Sequence, residues 1–144
     1  MVTFPTGAEV VLKTTHNSYI NAGPGQYAKV STQSYVGSYE KFVIEPISGE
    51  GGLYSLRTSH STYLRAEPGR SAKVNTQTFV GPWEKFRIEP VSNEPGVYSI
   101  STAHGTYLRA EPGQSAKVDT QTSVGPWEKF RINTAIIEVE RLAS

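Results

Sequence analysis

Residues 54–88 read YSLRTSHSTYLRAEPGRSAKVNTQTFVGPWEKFRI, and residues 98–132 read YSISTAHGTYLRAEPGQSAKVDTQTSVGPWEKFRI. The two differ at seven of 35 positions: Leu56/Ile100, Arg57/Ser101, Ser59/Ala103, Ser61/Gly105, Arg70/Gln114, Asn75/Asp119 and Phe79/Ser123. A more diverged copy occupies 10–44 in the same register, without a gap. His16, His60 and His104 stand 44 residues apart, as do Tyr19, Tyr63 and Tyr107, and Phe42, Phe86 and Phe130. Three units, about 9–52, 53–96 and 97–140, fill nearly all of the 144 residues, which are read as a single domain, 1–144. The chain is a triplication.

Each unit reads as four short strands. Val10–Leu12, Tyr54–Leu56 and Tyr98–Ile100 alternate inward and outward, which is the period of a half-buried strand. A polar turn containing the histidine follows, then Tyr19–Ala22 and its copies Tyr63–Ala66 and Tyr107–Ala110. Pro24-Gly25, Pro68-Gly69 and Pro112-Gly113 are turn dipeptides. The third strand begins near Ala28 and the fourth near Lys41, with Phe42 and Ile44 on one face. Helical periodicity is absent from the units.

Twelve strands in three equal units need a closed arrangement. Propellers require about four blades or more. Three units suit an all-β β-trefoil with pseudo-threefold symmetry, a six-stranded barrel capped by three hairpins, and closure removes aggregation-prone edges. The expected core is Leu12, Ile20, Val30, Phe42, Ile44, Leu56, Leu64, Val74, Phe86, Ile88, Ile100, Leu108, Val118, Phe130 and Ile132. Beyond the third unit, Ile137 and Val139 alternate with Glu138 and Glu140, which suits an extra strand or a short helix.

The stretches His60-Ser-Thr-Tyr-Leu-Arg-Ala-Glu-Pro-Gly, Ala72-Lys-Val-Asn and Trp83-Glu-Lys-Phe-Arg-Ile resemble the unit of fascin-type trefoils, which include the hisactophilins. The resemblance covers about 10–133 and implies an actin-binding or actin-cross-linking protein. Ricin-type lectins carry Gln-x-Trp in each unit, where this chain has Glu40-Lys-Phe42, Glu84-Lys-Phe86 and Glu128-Lys-Phe130.

Fourteen Lys and Arg against thirteen Asp and Glu give a net charge of +1, unlike a dedicated nucleic-acid binder. Without cysteine there is no disulfide, thiolate metal site or Cys nucleophile. No apolar run approaches the roughly 20 residues of a membrane span, and the start lacks signal-peptide character. A cytoplasmic protein with no membrane insertion is expected. The one aspartate, Asp119, has no base or nucleophile arranged around it, and the symmetric glutamates are not differentiated as acid and base. A non-enzyme without cofactor, metal or catalytic residues follows.

Two binding readings remain. Arg65, Arg87, Arg109 and Arg131 occur only in units two and three, and with Lys73 and Lys117 they form a candidate basic surface for acidic actin filaments. A single unit-set of this kind would cross-link filaments as a homodimer or through two faces. The alternative is a carbohydrate-binding lectin with up to three equivalent sites. They would be built from His16, His60 and His104, the aromatics Tyr39, Trp83 and Trp127, and Glu67 and Glu111. In favour of glycans, Glu67/Glu111 and Thr76/Thr120 are repeated as faithfully as the core although expected to be exposed. Tyr27 (Ser71 and Ser115 elsewhere) and Tyr35 (Phe79 and Ser123) vary between units and should be exposed.

Overall fold

The apolar residue at every second position of the repeat puts one face of each strand into a common interior. In the computed structural model, which describes residues 4–143, the first unit gives β1 (Glu9–Thr14), β2 (Tyr19–Ala22), β3 (Val30–Gln33) and β4 (Phe42–Pro46). The second gives β5 (Tyr54–Thr58), β6 (Tyr63–Ala66), β7 (Val74–Gln77) and β8 (Arg87–Pro90). The third gives β9 (Val97–Ser101), β10 (Tyr107–Ala110), β11 (Val118–Gln121) and β12 (Phe130–Thr134). One helix, α1 (Ala135–Ala143), follows.

The pairings close a ring. β1 pairs with β4, β4 with β5, β8 with β9, β9 with β12 and β12 with β1. The remaining joint is made by Tyr54 and Phe86, which exchange both backbone hydrogen bonds at 2.9 Å. Hairpins β2–β3, β6–β7 and β10–β11 cap one end. The chain is a β-trefoil. All fifteen expected core residues are buried.

Phe4 joins them, edge-on to Tyr54 and Tyr98 at 5.2 and 5.5 Å between ring centroids. The third repeat-equivalent position holds the smaller Val10, so the early ring complements the one unit that lacks a tyrosine there.

Thr32, Thr76 and Thr120 stitch the hairpins together. The Thr76 hydroxyl donates to the Gly25 carbonyl at 2.7 Å and accepts from the Ala28 amide at 2.8 Å. Its own carbonyl accepts from the Tyr27 amide at 2.8 Å. Thr120 does the same to Gly69, Ala72 and Ser71, and Thr32 to Gly113, Ala116 and Ser115. These bonds hold Tyr27, Ser71 and Ser115 at φ 56° alike, a left-handed conformation that is uncommon for non-glycine residues. Thr76 and Thr120 are expected on the surface from the sequence, and with Thr32 they behave otherwise. They are fully buried, and this hydrogen bonding is why each copy keeps them.

The tail forms a helix rather than a strand. Alternation misleads here because the residue it turns inward is a glutamate: Ala135 and Glu138 face the barrel while Ile136 and Ile137 point out. The Glu138 carboxylate accepts from Lys13 Nζ at 3.1 Å, the Tyr19 hydroxyl at 2.5 Å and Asn133 Nδ2 at 2.9 Å. Burial alone would push its pKa up, but these donors outweigh burial and hold it below the ordinary carboxylate range. Burial and the neighbouring carboxylate together raise the Tyr19 phenol well above its usual value.

Candidate binding groove

Arg65 follows the inward Leu64 in β6, so strand alternation sends it outward. It does not stand free. One guanidinium nitrogen donates to Glu67 Oε2 at 3.1 Å and Asn75 Oδ1 at 3.0 Å, while Nε lies 3.9 Å from Glu84 Oε2. The charged plane sits 4.7 Å from the Trp83 ring centroid and 5.3 Å from that of Tyr27, the range of cation–π attraction. Tyr27 comes from the neighbouring unit's turn and is 58% exposed. Together Tyr27, Lys29, Arg65, Glu67, Lys73 and Asn75 line an open groove of about 560 Å³ between the first and second hairpins.

The same position in the third unit is built differently. Arg109 donates to Glu111 at 3.2 Å and Asp119 at 2.9 Å, with Glu128 at 3.9 Å and Trp127 at 4.8 Å. Burial works against this guanidinium's charge, but Asp119 and Glu111 outweigh it and lift its pKa above the ordinary value. Ser71 replaces the tyrosine. In unit one Asn21 replaces the arginine and donates to Glu40.

Glu40, Glu84 and Glu128 anchor these arms from below. Each is buried, and its Oε1 accepts from the Gly37, Gly81 or Gly125 amide at 2.6, 2.6 and 2.7 Å. The glutamates turn inward, and two of the lysines that follow them pair across units, Lys85 with Glu50 at 2.7 Å and Lys129 with Glu94 at 2.6 Å.

His16, His60 and His104 are half-buried clamps between units. Their Nε2 atoms meet the Ala110, Ala22 and Ala66 carbonyls at 3.1, 3.1 and 2.9 Å. Each ring is edge-on to an aromatic of the preceding unit: Trp127 at 5.4 Å, Tyr39 at 4.4 Å and Trp83 at 5.2 Å. Trp83 and Trp127 are thus held between a histidine and an arginine, with 36% and 37% of their surface exposed. Among the described residues no three His, Asp or Glu side chains converge as metal ligands.

The structure places the six cations grouped as a basic surface in different surroundings. Arg65 and Arg109 are enclosed by carboxylates. Arg87 lies in a recess with Lys85 and Glu50, and Arg131 in another with Lys13, Lys129 and Glu94. Lys73 belongs to the Tyr27 groove, and Lys117 lies 3.8 Å from Asp119. Of the aromatic and acidic residues, Trp83 and Glu67 both contact Arg65. Tyr27 was recognised as exposed, but its neighbours Lys29 and Asn75 were not singled out. The signal was present at position 75, one of the few that vary between two otherwise matching units.

No family model matches the sequence, and no curated protein matches it. Solved structures do. A designed threefold-symmetric protein, ThreeFoil, is similar at a TM-score of 0.77 and 19% identity, over 87% of this chain and 97% of that one. SeviL bound to the asialo-GM1 saccharide is similar at 0.73 and 14% identity, over 89% and 98%. A Polyporus squamosus lectin bound to a human-type influenza-binding epitope is similar at 0.75 and 14% identity, over 92% of this chain and 50% of that one. At such identities the likeness shows the fold.

Proposed function

We propose that the protein is a carbohydrate-binding module whose principal site is the groove beside Tyr27. The observation that carries this reading is the pairing of an exposed aromatic ring with a fixed polar array in one concavity. A sugar ring presents an apolar C–H face and a rim of hydroxyls. Tyr27 offers a matching flat surface with a polar tip. Glu67, held by Arg65 through Oε2, lines the groove and offers it a carboxylate acceptor. Ligand sites generally combine such an apolar wall with a few positioned polar groups. The saccharide-bound neighbours share the fold and lend support. The fascin-like actin reading is weakened, because two of the four arginines that carried it, Arg65 and Arg109, are neutralised internally.

A glycan array followed by titration calorimetry tests this. Tyr27→Ser copies the residue that Ser71 and Ser115 carry at the same φ, so the fold and melting temperature should hold. Glycan affinity should fall at least about tenfold, or about 1.4 kcal/mol. Unchanged affinity in this variant, or a wild-type protein that binds no glycan, defeats the proposal.

A further inference from the structure

Resting on that reading, we infer that the groove selects an acidic saccharide, one whose single carboxylate or sulfate sits between Lys29 and Lys73 while a sugar ring lies on Tyr27. Lysine recurs at 29, 73 and 117, and two residues later the units carry Ser31, Asn75 and Asp119. Only the third supplies a countercharge, Asp119 lying 3.8 Å from Lys117 Nζ. Among the described residues Lys29 and Lys73 have no carboxylate within ion-pair range. Both are exposed, and both line the groove that carries the exposed tyrosine.

The third cation there, Arg65, is already satisfied by Glu67, Asn75 and Glu84, so it fixes geometry without demanding a ligand anion. The two lysines thus form a local positive field in a chain whose net charge is +1. Glu67 limits what they accept. Its carboxylate repels a second nearby anionic group, so one acid flanked by hydroxyls fits and a string of phosphates does not.

Titration of the full chain tests this with a neutral disaccharide, the same disaccharide bearing one sulfate or one terminal acidic sugar, inorganic sulfate, and a polyuridylate oligomer. The acidic disaccharides should bind at least about tenfold tighter than the neutral one, and added salt should erode that margin. The margin should vanish in the Lys29→Gln/Lys73→Gln protein and survive in Lys117→Gln. Which acid binds tighter identifies the source of the charge. Equal binding of acidic and neutral disaccharides overturns the inference, as does equal loss in Lys117→Gln. Inorganic sulfate or polyuridylate binding as tightly as the acidic disaccharides overturns it too. If the neutral disaccharide binds through Tyr27 without an acidic advantage, the glycan reading stands and this inference alone falls. If no saccharide binds, both fall.

Discussion

The groove beside Tyr27 and its counterpart beside Ser71 share their lysines, arginine and glutamate, and differ in two side chains. One has a tyrosine wall and a neutral Asn75; the other has a serine and the charged Asp119. Much that is identical among the units has a structural task. The buried threonines fasten the turns, the buried glutamates cap the loops, and the histidines clamp adjoining units. Buried faithful repetition in this chain therefore marks scaffold, and what tells one groove from the other is to be sought where the copies disagree.

The most severe test of that view concerns the scaffold. Phe86→Ala and Phe130→Ala remove equivalent buried rings, and each should cost about 3–5 kcal/mol in a denaturant melt. Their costs should agree within about 1 kcal/mol, the scatter of one mechanism in two like cavities. A larger gap breaks the equivalence of the two units.

Next in size is the repeated glutamate at 94 and 138. Glu94 is 41% exposed and pairs with Lys129, whereas Glu138 is fully buried with three donors. Glu138→Gln should cost roughly 1–3 kcal/mol at neutral pH, and Glu94→Gln under about 1 kcal/mol. Because folding lowers the Glu138 pKa, its contribution is complete above the ordinary carboxylate range. It is lost as pH falls through the folded value. The gap between wild type and Glu138→Gln should accordingly close on acidification below about pH 4. A pH-independent gap would place the stabilisation elsewhere.

The finest test exchanges the grooves' charges. Asn75→Asp gives Lys73 the countercharge that Lys117 already has, and should weaken acidic-saccharide binding roughly threefold. That is the scale of a 0.2–1 kcal/mol surface pair. Asp119→Asn alone should leave binding at the Tyr27 groove unchanged in titration. An effect of Asp119→Asn as large as that of Asn75→Asp would erase the distinction between the two sites.

The fold was legible because period-2 alternation and the 44-residue repeat are local signals, and the core followed from Leu12 through Ile132. Three features escaped that reading for one reason. Thr76 and Glu138 are polar residues buried with partners far along the chain, and Glu84 is buried against the nearby Gly81 amide and Arg65 of the preceding hairpin. Hydrophobic pattern assigns such residues to the surface, and only tertiary pairing reverses it. The site was legible in part. Variation among copies exposed Tyr27 to view, but the lopsided arginine count suggested a basic face, and neighbouring carboxylates cancel two of its four arginines, Arg65 and Arg109.

The threonine stitches run from unit two to unit one, from unit three to unit two, and from unit one back to unit three. A stacked solenoid has end repeats that fray first. Here the order of repeats is circular, so none of them is last. Opening one hairpin strips donors and acceptors from both of its neighbours, and partial unfolding has no inexpensive place to begin. Melting should be a single cooperative event, which leaves the variable turn residues free to change while the ring beneath them stays shut.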